Sequence, residues 1–252
     1  MPAFPRLGSL LATLLIGSLA VGSAGCASSG SYSLDEGALA DRYLPSNRQV
    51  DYPPDSLRAL RLRETDDQIK FDLNTSYQNM TARWSSTFRL AEARRGPTRP
   101  LTYATFWSLE LSLASLQPEV GVGSLTKDKA REIIAQRRKE YEEVIQIDVY
   151  WFGPPSEAAV AGPGTQTRLR DANGNSYPPA SSDFTPVREA FLTGGRTGTY
   201  RRNTFLFPRT VDGRDILDQT DQLSLQLSRM SGTYEFTWSW DAPAPPDATA
   251  SD

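Results

Sequence analysis

Apolar and polar positions alternate through most of the chain between residues 56 and 240. At the C-terminal end Tyr234, Phe236, Trp238 and Trp240 interleave with Glu235, Thr237 and Ser239. Leu223, Leu225 and Leu227 alternate with Ser224 and Gln226, and Ile145, Ile147, Val149 and Trp151 form another run. A period of two sends successive side chains to opposite faces of a strand, so each run predicts a half-buried strand. Leu101, Tyr103, Thr105, Trp107, Leu109, Leu111 and Leu113 share one face of a long predicted strand. Thr102, Ser108, Glu110 and Ser112 lie on its other face. Ile69, Phe71 and Leu73 predict a shorter one. Two patterns compete further on. Ala82, Trp84, Ser86, Phe88 and Leu90 alternate, whereas Tyr77, Trp84, Phe88 and Ala91 fit a helical stripe.

Turn chemistry punctuates these runs. Asn173-Gly174, between Thr167–Arg170 and Asn175–Tyr177, predicts a hairpin with a type I′ turn, which needs positive φ at both central residues. Gly153-Pro154-Pro155 and Gly162-Pro163-Gly164 break the chain, and Gly194–Gly198 predicts a mobile loop. One segment is helical, Thr126–Glu143, with Thr126 as N-cap and Asp128 in the first turn. Ala130, Ile133, Ile134, Arg137 and Tyr141 make its narrow stripe, which predicts a surface helix with one docked edge. Nine or ten strands with one inserted helix argue for a mainly β fold, an antiparallel Ig-like β-sandwich spanning 56–240. The seven short strands from Val144 to Trp240 also leave a two-domain reading open. The four predicted strands before the helix are few for a core of their own.

The N-terminus breaks this pattern. Arg6 and the amino group precede an apolar run of 16 residues, Leu7–Gly22. That is short for a membrane span, which takes about 20 apolar residues, and it has the form of an export signal. The run ends in Gly22-Ser23-Ala24-Gly25-Cys26, which resembles the lipobox of bacterial lipoproteins, with Ser23 where that family more often has Leu. The resemblance implies acylation of the Cys26 thiol and cleavage between Gly25 and Cys26. It also implies a lipid anchor in the cell envelope, and Ala27 in place of an aspartate implies the outer membrane. On this reading residues 1–25 are signal and 26–55 a lipidated tether, rich in Ser, Gly, Pro and Asp. Residues 241–252 (DAPAPPDATASD) read as a disordered tail. The strand-rich remainder resembles the Ig-like lipoproteins of bacteria.

Composition narrows the chemistry. The 252 residues carry 27 Lys+Arg against 30 Asp+Glu, a net charge of −3, which argues against a nucleic-acid partner. Histidine is absent, which excludes Ser-His-Asp and Cys-His catalysis. The single cysteine excludes an internal disulfide. No cofactor is expected.

Weaker motifs remain. Ser124-Leu125-Thr126-Lys127 fits the Ser-x-x-Lys of serine β-lactamases, but Lys-Thr-Gly and Ser-Asp-Asn are absent and the strand-rich pattern does not suit that fold. Capping of the helix explains those residues. Asp212, Asp215, Asp218 and Asp221 recur every third residue, a weak candidate calcium cluster, although Arg214 sits among them. Asp171–Asn175 resembles a calcium loop superficially, and a hairpin turn explains it with fewer assumptions. Trp240, at a strand end, and Trp151 are the aromatics most expected to be exposed as a ligand platform. Glu110 and Asp148 fall on polar strand faces and are expected in solvent.

The leading expectation is a non-enzymatic, lipid-anchored accessory, binding or structural protein. Its partners are expected to be the membrane, through the anchor, and an envelope protein or a glycan. The alternatives are a glycan-binding module or polysaccharide-acting enzyme, and a calcium-stabilised adhesin-like domain.

Overall fold

A computed structural model describes residues 39–40, 42, 44–90, 102–117, 126–152, 165–192, 196–229 and 232–241. The lipobox, Cys26, Ser124, both Gly-Pro breaks and residues 242–252 lie outside them. In chain order the elements are β1 (Asn47–Val50), β2 (Leu60–Glu64), β3 (Ile69–Leu73), α1 (Tyr77–Arg83), β4 (Ser85–Thr87), β5 (Arg89–Leu90), β6 (Thr102–Phe106) and α2 (Leu109–Ala114). Then follow α3 (Lys127–Glu143), β7 (Val144–Phe152), β8 (Gln166–Asp171), β9 (Ser176–Tyr177), β10 (Ser181–Phe184), β11 (Arg188–Leu192) and β12 (Arg196–Pro208). The last four are β13 (Thr210–Val211), β14 (Arg214–Asp215), β15 (Gln222–Arg229) and β16 (Gly232–Trp240).

The protein is mainly β and sandwich-like. One sheet runs β1-β16-β15-β8-β9 with β5 also on β16, and the other runs β10-β12-β7-β6-β4 with β11 also on β12. Their inner faces supply a single core of buried residues from Val50 to Trp240, drawn from both sides of α3. Phe106 of the second sheet meets Trp238 and Trp240 of the first at ring-centroid distances of 6.0 and 6.2 Å. Trp151 meets Tyr234 edge-on at 5.3 Å. The strand order does not single out the immunoglobulin topology, and β1 joins β16 in parallel, Asn47 opposite Thr237 through Val50 opposite Trp240.

Several predicted elements stand. β15 buries Leu223, Leu225 and Leu227 as the alternation requires. α3 begins where expected, with the Thr126 hydroxyl accepting from the Lys129 amide, and it buries Ala130, Ile134 and Tyr141. The β8–β9 hairpin forms at Asn173-Gly174, but not as a type I′ turn. Only Gly174 has positive φ, 85°, and its amide donates to the Asp171 carbonyl. A type I turn completed by a left-handed glycine fits this geometry. The type I′ signature appears instead between β13 and β14, where Asp212 and Gly213 have φ of 52° and 75°.

Other expectations are corrected. The long strand from Leu101 to Leu113 is a short strand followed by helix α2. The Ser108 hydroxyl accepts from the Leu111 amide and turns the chain, and α2 buries Glu110, Leu111, Ser112, Leu113 and Ala114. A helix buried almost all round has no amphipathic stripe to display. The Ala82–Leu90 region resolves into both readings, helix α1 followed by strand β4. Residues 196–198, expected in a loop, open β12 and pair with β11, Gly198 opposite Ala190.

The segment expected as tether also enters the fold. Beyond β1, Tyr52 is buried in the main core. Leu39, Ala40 and Leu44 are buried in a second cluster with Tyr103, Tyr150, Phe152 and Tyr200. These rings stack in series: Tyr103 on Tyr150 at 4.8 Å, Tyr103 on Phe152 at 6.0 Å and Phe152 on Tyr200 at 5.4 Å. Tyr150 and Phe152 alternate along β7 with the core residues Val149 and Trp151, so this cluster covers the sheet's other face.

Candidate ligand groove

Chemistry begins with the titratable groups. Glu110 and Asp148, expected in solvent, are both 0% exposed. Glu110 projects from α2 into the junction with α1 and the chain after β1. Its carboxylate accepts from the Tyr52 hydroxyl at 2.5 Å, the Trp84 indole N–H at 3.1 Å and the Ala59 amide at 2.9 Å. Arg83 donates to the Tyr52 oxygen at 2.6 Å and extends the network towards the surface. Burial and then the Glu110 carboxylate push the Tyr52 hydroxyl above its ordinary range, so it stays protonated and donates.

Asp148 sits on β7 away from the main core. It accepts from the Trp107 indole at 3.0 Å, the Gln146 amide at 3.2 Å and the Tyr150 hydroxyl at 3.4 Å. Burial raises its pKa, opposed by the charge of Arg202 and by hydrogen bonds from Thr204, Gln146 and Trp107. Both carboxylates therefore bind the fold to itself. A third buried centre is Arg209, which donates to Asp55 and Asp215 at 2.7 Å each and to the Tyr141 carbonyl at 3.4 Å. Burial opposes its charge, and Asp55, Tyr141 and Asp215 together outweigh that penalty and raise its pKa.

The aromatic platform is not where the sequence pointed. Trp240 is 5% exposed and Trp151 3%, and the other three tryptophans are buried as well. Trp240 is covered because β1 adds a parallel strand beside it and Pro53-Pro54 continue over the sheet end. Trp151 faces the inter-sheet core. The aspartate series is dispersed too. Asp215 is drawn to Arg209, and among the described residues no three His, Cys, Asp or Glu side chains come together to hold a metal. Asp171 is no calcium ligand set either. Its carboxylate accepts from the Asn175 amide, the Asn175 side chain and the Tyr177 hydroxyl at 2.8, 2.7 and 2.9 Å. Burial works against its charge, yet these bonds hold its pKa below the ordinary value.

What the turns build together is a groove at one end of the sandwich. One cleft of about 930 Å³ lies between the β8–β9 hairpin and the β13–β14 hairpin, with Tyr177, Pro178, Pro208 and Val211 along it. A second of about 530 Å³ is bounded by Pro53, Pro54, Leu217 and Trp240. Asn173 and Gln219 line both, so the two clefts meet there. The walls are tied together: the Asn173 side-chain amide donates to the Gln219 carbonyl at 3.1 Å, and the Ala172 amide to the Thr220 hydroxyl at 3.1 Å. Asp212, Asp218 and Asp221 stand exposed along the rim. Concave sites with apolar floors and a few convergent polar groups are where ligands bind. The aspartate series signalled this edge in the sequence. Trp240, singled out in the sequence, bounds the second cleft although it is buried, whereas Pro53-Pro54 and Tyr177 escaped notice because they lie far from it along the chain. The chain was compared with protein-family models, curated proteins and solved structures, and none of them matches it.

Proposed function

We propose that this protein is a lipid-anchored bacterial envelope component that works by binding or scaffolding rather than by catalysis. The observation that carries the reading is the position of Cys26. The only cysteine of the chain stands directly after an apolar signal-like run and the small residues Ser23-Ala24-Gly25. A thiol there serves as the acceptor of a diacylglyceryl group, and more than one acyl chain gives stable anchoring where a single chain gives only reversible binding.

The interior supports the non-catalytic part. Glu110 and Asp148 are saturated by tyrosine, indole and amide donors of the fold. A general acid or base needs reach to a substrate proton, and these two have their reach committed inward. The groove is instead lined by turn residues held by backbone-directed bonds, an arrangement suited to recognition.

Cell fractionation tests the reading. The full-length protein is expected in the membrane fraction and the Cys26→Ala variant outside it. Equal distribution of the two forms contradicts the anchor. Crosslinking in intact cells then asks whether a discrete envelope component is captured by the anchored form alone.

A further inference from the structure

We propose that the groove formed by the two hairpins and the 217–221 turn binds a donor-rich glycan, a saccharide chain bearing neutral hydroxyls or amino groups. This rests on the reading of the protein as a binding component and names the ligand class of its groove.

Three features select that chemistry. First, the groove has two apolar floors separated by an amide ridge. Tyr177 with Pro178 forms one floor and Pro53-Pro54 with Leu217 the other, and Asn173 with Gln219 lies between. A sugar ring presents an apolar C–H face and polar edges, so flat ring and proline surfaces suit it, with planar side-chain amides at the edges. Two floors that share Asn173 and Gln219 offer places for two rings of one chain. Second, the rim is rich in acceptors. Asp212, Asp218 and Asp221 are exposed, and Arg214 is the basic side chain of the groove lining. Carboxylates accept from hydroxyls and ammonium groups, and their field repels acidic polysaccharides. Third, the walls are fixed before any ligand arrives. Asp171 locks Asn175 and Tyr177 through three bonds, and the Ala172–Thr220 bond ties the hairpin to the opposite turn. Preorganised walls lose little freedom on binding. A peptide is disfavoured because the sheet edge at the groove, β9, is two residues long. That is too short a ladder for strand addition.

The test uses the purified full-length lipidated protein in detergent micelles. It is presented to neutral, amino-bearing and acidic hexasaccharides and to a lysine-rich peptide, with binding read by calorimetry. Neutral or amino-bearing saccharides are expected to bind, with at least about tenfold weaker affinity in the Asp218→Ala, Asp221→Ala double variant. Thermal unfolding of that variant is expected to match the parent, because both positions are exposed. Four results overturn the proposal: no saccharide bound by folded protein, preference for acidic saccharides, binding of the peptide alone, or undiminished saccharide binding in the double variant. Intact mass of the same sample reports the lipid on Cys26, so a failure of the anchor reading is distinguished from a failure of the groove.

Discussion

The Trp84 indole donates to the Glu110 carboxylate at 3.1 Å, and both side chains are fully buried. The Trp84 carbonyl in turn accepts from the Trp238 indole at 2.9 Å. One residue thus joins the buried Glu110 carboxyl group of α2 to β16, an interior strand of the opposite sheet. Glu110→Ala would leave the Tyr52 hydroxyl, the Trp84 indole and the Ala59 amide without their acceptor. Each buried donor so stranded costs about 1–3 kcal/mol. Urea unfolding is expected to show a loss of about 3 kcal/mol or more, and Glu110→Gln a smaller one because it keeps one acceptor oxygen. A Glu110→Ala protein as stable as the parent contradicts this account.

Asp148 gives stability a pH dependence of definite sign. Its folded pKa is raised by burial above the unfolded value, so the folded state favours the protonated form. Its contribution is fully present below the unfolded aspartate range and declines as pH rises through the folded pKa. Asp148→Asn removes this titration. Melting curves from pH 3 upward are therefore expected to diverge, with the variant losing less stability than the parent as pH rises. Parallel curves across that window argue against a raised pKa.

At the surface, Glu64 receives Arg131 at 2.7 Å and Lys127 at 3.2 Å, linking β2 to the start of α3. The bonds from Arg131 and then Lys127 draw its pKa from 4.5 to about 2. The sign is opposite to that of Asp148. The stabilising contribution is present above the ordinary carboxylate range and is lost as pH falls towards about 2. Carboxyl NMR titration is expected to find Glu64 among the most acidic glutamates. Arg131→Ala or high salt should move it back up, because the pair is solvent-exposed. A Glu64 that titrates normally in the parent removes the bridge.

Leu39, Ala40 and Leu44 seal the stacked rings of Tyr103, Tyr150 and Phe152. Leu39→Ala is expected to cost about 2–4 kcal/mol, the usual range for truncating a buried leucine. For an anchor at Cys26, this contact also shortens the leash. From Cys26 to Leu39 are 13 residue steps, which reach at most about 45 Å when fully extended. Depth measurements on lipidated protein in vesicles are expected to hold the sandwich within that distance of the bilayer. A substantially larger separation means that the Leu39 contact opens.

The sequence revealed elements wherever one face is buried and the other wet. β8 and α3 are such elements, and their periods of 2.0 and 3.6 are plain. It misled wherever both faces are covered. On β7, Asp148 and Tyr150 alternate with core residues like solvent-facing positions, yet a second layer covers them. In α2 the alternation of Leu109, Leu111 and Leu113 imitates a strand because Glu110 and Ser112 are polar and nonetheless buried. β1 was hidden because Asn-Arg-Gln-Val shows no apolar run, and its parallel partner lies some 190 residues away. Pairing over that distance leaves no local signal. It is also what covers Trp240, which read as exposed at a strand end. The rim of the groove was visible as the aspartate series, while its floor is built from segments far apart along the chain.

The intact mass of the protein extracted from membranes tests the central claim most directly. The account requires a mature chain that begins at Cys26, lacks residues 1–25 and carries the added mass of acyl groups on that residue. A chain that retains residues 1–25 with an unmodified Cys26 thiol contradicts it.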